Sequence, residues 1–292
     1  MDADDDARLP AADAPARRDA RRRLSGARRP VPMFSVTYAQ LNGWLTAFLW
    51  PFVRMLALVA TAPVVGHASV PARVKIGVAA FMALIVAPTL GPMPAVTVFS
   101  AEGIWIVVTQ FLIGTAMGFT MQIVFAAVEA AGDFIGLSMG LGFATFFDPH
   151  SSGATPVMGR FLNAVAMLAF LAVDGHLQVL AALTASFQSL PVSADLLHAP
   201  GWRTLATFGA TVFGMGLLLA LPVVAALLIA NLALGILNRA APQIGVFQVG
   251  FPVTMLVGLL LVQLMVPNLV PFVSRLFDMG LDAIGRVVLG WR

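Results

Sequence analysis

Two short polar pairs interrupt apolar surroundings, Asp148-Pro-His150 and Asp174-Gly-His176. A carboxylate beside an imidazole suits a metal ion or a proton relay, because histidine titrates near neutrality. Neither pair has the i, i+4 spacing that puts two histidines on one helix face in HExxH, and no GxSxG elbow or Walker phosphate loop occurs. The chain has no cysteine, which removes disulfides, thiolate metal sites and thiol nucleophiles together. An Asp-Gly-His at the edge of an apolar segment reads as a turn with local hydrogen bonds. The residues therefore assign no catalytic site, no metal site and no cofactor.

One charge carries more information. Arg54 sits inside an apolar run, and a cation in a membrane-spanning helix costs at least about 2.5–3.5 kcal/mol. It needs a partner, a wet cavity or a helix turned away from lipid, unless it snorkels to an interface. Glu102, Glu129 and Asp133 are the candidate partners, and the sequence does not choose among them.

The elements that hold these residues follow from composition. Hydrophobic residues make up 59% of the 292 and charged residues 11%, with a mean hydropathy of +0.91. An ordinary soluble domain is about one quarter charged. Residues 1–32 alone contain eight arginines and six aspartates, leaving nine basic and eight acidic residues for the other 260. That remainder cannot clothe a water-facing surface, which excludes a soluble globular enzyme. No basic face exists beyond the leader, so the net charge of +3 does not indicate a nucleic-acid partner.

The charged leader, 1–32, lacks the hydrophobic region of a secretory signal. Two readings stand: a disordered arm touching acidic lipid through Arg17 to Arg29, or translation that begins at Met33. Beyond it the apolar runs are continuous, unlike the alternating segments of a membrane β-barrel. Gly103–Val128 and Thr204–Asn238 are free of charge, and about 20 apolar residues suffice for a span. The fold expected is an all-α, polytopic integral membrane protein of kinked helical hairpins. Six spans are predicted: 41–62, 76–90, 103–128, 157–190, 204–238 and 241–274. The fourth is interrupted at Asp174-Gly175-His176, as two short helices or one bent one. The last two form a tight antiparallel hairpin joined around Arg239, with kinks at Pro222 and Pro252. Positive charges divide four against four between the two sides, so the positive-inside rule decides no orientation.

Gly114 and Gly118, then Gly132, Gly136 and Gly140, recur at four-residue spacing, which lets helix backbones approach closely. The methionines Met117, Met121 and Met139 lie around this face. They read first as packing, with a deformable seal against a passing chain as the sharper alternative. Next comes an irregular stretch: Gly140, Gly142, Phe143, Phe146, Phe147, Asp148 and Pro149 combine free backbone, aromatic bulk and a turn. Irregular backbone at membrane depth survives only when protein or a water-filled cavity surrounds it. The stretch 140–156 reads as a constriction or plug, or as an interfacial helix connection.

A family resemblance joins these pieces. Trp50-Pro-Phe-Val-Arg54-Met-Leu-Ala-Leu with Ala62-Pro63, and Val70-Pro-Ala-Arg-Val-Lys-Ile-Gly77, resemble the opening of the FliR family of flagellar type III export-gate proteins. Gln110 to Gly118, Gly132 to Pro149, Asp174-Gly-His176, Leu219-Ala-Leu-Pro222, Asn231 to Gln243 and Val249-Gly-Phe-Pro252 continue it in order. The resemblance implies a non-enzymatic channel subunit in the bacterial inner membrane, at the flagellar basal body. It also implies a helical gate shared with FliP and FliQ, with FlhB adjacent, that passes unfolded flagellar subunits. It further implies a FliP-like portion at 33–200, a FliQ-like hairpin and tail at 201–292, and a plug at Gly140 to Pro156. Sister subunits would then cover much of the apolar surface, and membrane lipid the rest. The paralogous injectisome subunit SctT is the nearest alternative. A small-solute secondary transporter using Arg54 and Asp174 is another, but the internal repeat such a fold needs is not found.

Overall fold

In the structure, a computed structural model, residues 37–91, 93–94, 96–143, 156–241 and 249–292 are described. Eight α-helices order these residues: α1 Tyr38–Thr61, α2 Ala72–Val86, α3 Ala101–Ser138, α4 Val157–Ala172, α5 Gly175–Ser189, α6 Ala199–Gly209, α7 Thr211–Ala240 and α8 Phe251–Gly290. No strand occurs among them. Residues 1–41 group apart from residues 42–292, and only the start of α1 is described in the first group. The division at residue 200 expected from the sequence falls inside the second group.

Five helical stretches are long and apolar enough to cross a membrane: Gln40–Thr61, Ala72–Thr89, Ala101–Ser138, Ala199–Ala240 and Phe251–Gly290. The pair α4 and α5, bent by 68°, makes a sixth if counted as one broken span. The expected all-α polytopic membrane protein is what the chain forms.

Helix α3 organises the rest. Ser100 caps its start, its hydroxyl accepting from the Gly103 amide at 3.0 Å, and Glu102 lies in the first turn where the helix dipole favours an anion. The helix runs 38 residues, about 57 Å at 1.5 Å per residue. That is ten residues past the predicted end at Val128. Glu129 does not stop it because α4 lies alongside, and Asn163 Nδ2 donates to the Glu129 carboxylate at 3.3 Å. Helices α1, α4, α6, α7 and α8 all pack on α3.

Close approach is possible because four positions on α3 lack a side chain. A Cβ at Gly114 would strike the backbone carbonyl of Arg54 on α1, and one at Gly118 the hydroxyl of Thr61. A Cβ at Gly132 would come within 2.5 Å of the Gly159 Cα on α4, and one at Gly136 within 3.3 Å of the Met158 Cβ. Gly114 and Gly132 are separated by 18 residues, about five turns, so they lie on the same face. That one face receives two different helices, α1 along its first half and α4 along its second.

The proline and loop expectations need correction. Pro222 is inside α7, but Pro252 opens α8, where its missing N–H removes no helical bond. The interior prolines of α8 are Pro267 and Pro271. The last two spans are not joined by a tight turn at Arg239. Helix α7 continues to Ala240 and α8 begins at Phe251; residues 242–248 of the connection lie outside the described residues. Helix α7 packs more extensively on α3 than on α8. Helix α8 also runs past Ser274 to Gly290, and its buried end residues Ile284, Val287 and Val288 belong to the core.

Gly132→Ala should force α4 off α3 at a backbone contact, an overpacking cost of about 1–3 kcal/mol. Thermal unfolding of the detergent-solubilised protein should show a lower midpoint. Gly77→Ala on α2, where a Cβ meets nothing within 4 Å, should leave the midpoint unchanged or slightly raised.

Candidate functional site

Arg54 is wholly buried on α1. Its Nε donates to Gln110 Oε1 of α3 at 2.8 Å, one terminal nitrogen to Ser186 Oγ of α5 at 3.1 Å, and the other to the Leu190 carbonyl at 3.1 Å. The guanidinium carbon stands 4.1 Å from the centre of the Phe187 ring, on the same helix as Ser186. All three acceptors are neutral. None of Glu102, Glu129 and Asp133 is the partner: Glu102 lies in the first turn of α3, Glu129 takes Asn163, and Asp133 borders Gly159. A planar fork carries its donors on three separate nitrogens and so meets a carboxamide, a hydroxyl and a carbonyl spread around it, where an ammonium would have to reach all three from one atom. The residue neither snorkels nor faces a wet passage. It fastens α1, α3 and the end of α5 together.

The polar pair at the bend behaves as a turn. The Asp174 amide donates to Leu171 O at 3.2 Å, and its carbonyl accepts from the Leu177 and Gln178 amides at 2.9 and 3.2 Å. Asp174 takes φ 55°, the left-handed region that short polar side chains enter at modest cost. Gly175 follows, packed against the Phe170 ring with no room for a Cβ. Among the described residues no group of three or more His, Cys, Asp or Glu could hold a metal ion.

At its far end α3 terminates on Met139, and Gly140 turns the chain with φ 81°, a conformation that glycine adopts without strain. A short 3-10 turn, Leu141–Phe143, follows. The chain is described again from Pro156, which leads into α4. Between this exit and return lies an open cavity of about 260 Å³, bordered by Gly132, Asp133, Gly136, Leu141, Gly142 and Met158 among others. The cavity adjoins the second half of the glycine face. Phe146, Phe147, Asp148, Pro149 and His150 lie outside the described residues, as does the side chain of Phe143.

Met117, Met121 and Met139 are all fully buried, so packing is their role here. Met121 faces Gly280 and Met139 faces Gly258 on α8. The sequence singled out Arg54 and the glycines but missed Gln110, Ser186 and Thr254 as buried polar residues. A polar side chain inside a charge-free run was the available signal.

Comparison with known proteins gives a consistent result. Residues 45–280 match the family described as bacterial export proteins, family 1. The flagellar biosynthetic protein FliR of Pectobacterium carotovorum subsp. carotovorum is 46% identical over 245 residues, covering 84% of this chain and 94% of the relative. FliR of Escherichia coli strain K12 is also 46% identical, over 88% of this chain and 98% of its own length. FliR of Bacillus subtilis strain 168 is 31% identical over 83% and 94%.

Removing the fork should be costly. Arg54→Ala leaves three acceptors without their donor and opens a cavity, for a loss of roughly 3–5 kcal/mol. Arg54→Lys keeps the charge but cannot span the three acceptors, so a loss of about 1.5–3 kcal/mol is expected. Unfolding of the purified variants in denaturant should rank them in that order below the parent chain.

Proposed function

The chain belongs to bacterial export proteins, family 1, among the FliR proteins, and from that membership we propose that it is a channel-forming subunit of the flagellar protein export gate in the bacterial inner membrane. The match over residues 45–280 is the observation that carries this reading. In it, FliP and FliQ build the gate with this chain, FlhB adjoins it, and unfolded flagellar subunits pass through. Residues 33–200 serve as the FliP-like portion and 201–292 as the FliQ-like hairpin and tail.

Two features support an assembly role. Helix α7 carries Phe213, Leu228, Ile229, Leu232 and Ile236 with more than half of each exposed, and Phe81 and Leu84 on α2 are similarly bare. Such faces require a cover, which sister helices or lipid provide. Glycines at four-residue spacing show that this chain already packs helices backbone to backbone. In this reading the stretch from Gly140 through Phe143, Phe146, Phe147, Asp148 and Pro149 closes the resting channel. An open cavity lies at its root, between the end of α3 and the start of α4.

Deleting the gene should abolish flagella while leaving growth unaffected, and a flagellated deletion strain would refute the proposal. Affinity purification of a tagged chain should bring down FliP and FliQ. Replacing Phe143, Phe146 and Phe147 with glycine should make the assembled gate conduct small ions. Background conductance in that variant would remove the plug from the reading.

A further inference from the structure

Helix α3 ends at a junction that distant parts of the chain complete. The last carbonyls of a helix have no partner within it. Local amides answer some of them: Met139 N donates to Ile135 O at 2.9 Å and Gly140 N to Leu137 O at 3.0 Å. The next two are answered from the C-terminal helices. Asn231 Nδ2 on α7 donates to Ser138 O at 3.3 Å, and Thr254 Oγ1 on α8 lies 3.2 Å from Met139 O.

Thr254 is 6% exposed, and its hydroxyl also lies 3.0 Å from Phe251 O within α8. One proton thus has two acceptors, so Thr254 can release α3 without leaving its own hydroxyl unsatisfied. One turn along α8, Gly258 faces the Met139 side chain, where a Cβ would come within 2.5 Å of Cγ. Met139 is therefore gripped by both backbone and side chain. Gly140, with its positive φ, follows immediately.

We propose that Asn231 and Thr254 are positioning residues for the hinge at Met139–Gly140. They set the direction in which the chain leaves α3 through Leu141–Phe143, and they tie that direction to the seating of α7 and α8. A shift of the C-terminal helices against α3 breaks both bonds and frees the hinge. The proposal draws its functional meaning from the constriction reading above, but it concerns the described hinge and can be tested separately.

Because the chain has no cysteine, Leu141→Cys introduces a single thiol at the edge of the cavity. The full chain in native membranes is treated with a water-soluble maleimide and the labelling rate measured. Adding Thr254→Val and Asn231→Leu should accelerate labelling about tenfold or more, since each tertiary hydrogen bond shifts an opening equilibrium by roughly fivefold. Thr254→Ser, which keeps the hydroxyl, should label at the parent rate. An Ala116→Cys thiol in the buried middle of α3 should stay protected in every background. Unchanged labelling at Leu141→Cys overturns the proposal, as does Thr254→Ser labelling as fast as the Thr254→Val, Asn231→Leu double variant. Parallel acceleration at Ala116→Cys also overturns it, because the loosening would then be general. Conductance of the phenylalanine variant reports on the constriction alone. A tight membrane there, with accelerated labelling at Leu141→Cys, would remove the constriction and leave the hinge in place.

Discussion

A helix that must touch five others cannot be wide. Helix α3 meets α1 and α4 at glycines, so the contacts are backbone to backbone and the interhelical distance is set by main-chain atoms. Large side chains at those positions would hold the neighbours apart and dissolve the polar contacts that depend on them. The Arg54 carbonyl lies against Gly114, one turn beyond Gln110, which accepts from the Arg54 guanidinium. Close packing and buried hydrogen bonding are thus one arrangement: the first brings the acceptor within reach of the second.

That arrangement explains how a cation survives in so apolar a chain. A buried guanidinium needs all its donors occupied, and a carboxylate partner would add a second ion to be stripped of water. Three neutral oxygens give each guanidinium nitrogen a partner, and an aromatic face covers its carbon, without that second ion. The cost of this solution is geometric precision from three helices. The bend at Asp174 matters here, because it directs α5 so that Ser186, Phe187 and Leu190 reach Arg54.

The outer helices follow a different logic. Most of α2, α7 and α8 faces away from the core of this chain, and their large apolar residues remain uncovered. Helices α7 and α8 nevertheless make specific polar contacts that complete the end of α3. A helix with a bare outer face and a hydrogen-bonded inner one is suited to relaying what happens on its outside to the core.

Much of this was legible without coordinates. The scarcity of charge and the continuous apolar runs determined an all-α membrane protein, and the interruption at Asp174-Gly175 determined where the fourth span breaks, because both depend on local composition and backbone preference. The four-residue glycine spacing identified a face of close approach for the same reason: helical periodicity is a property of neighbouring residues. What occupies that face was decided only by the tertiary structure, which divides it between α1 and α4. Tertiary packing likewise chose Gln110, Ser186 and the Leu190 carbonyl for Arg54, and Thr254 for Met139. Those pairs stand 56 to 136 residues apart, and no local pattern records which distant oxygen the folded chain will bring to a buried donor.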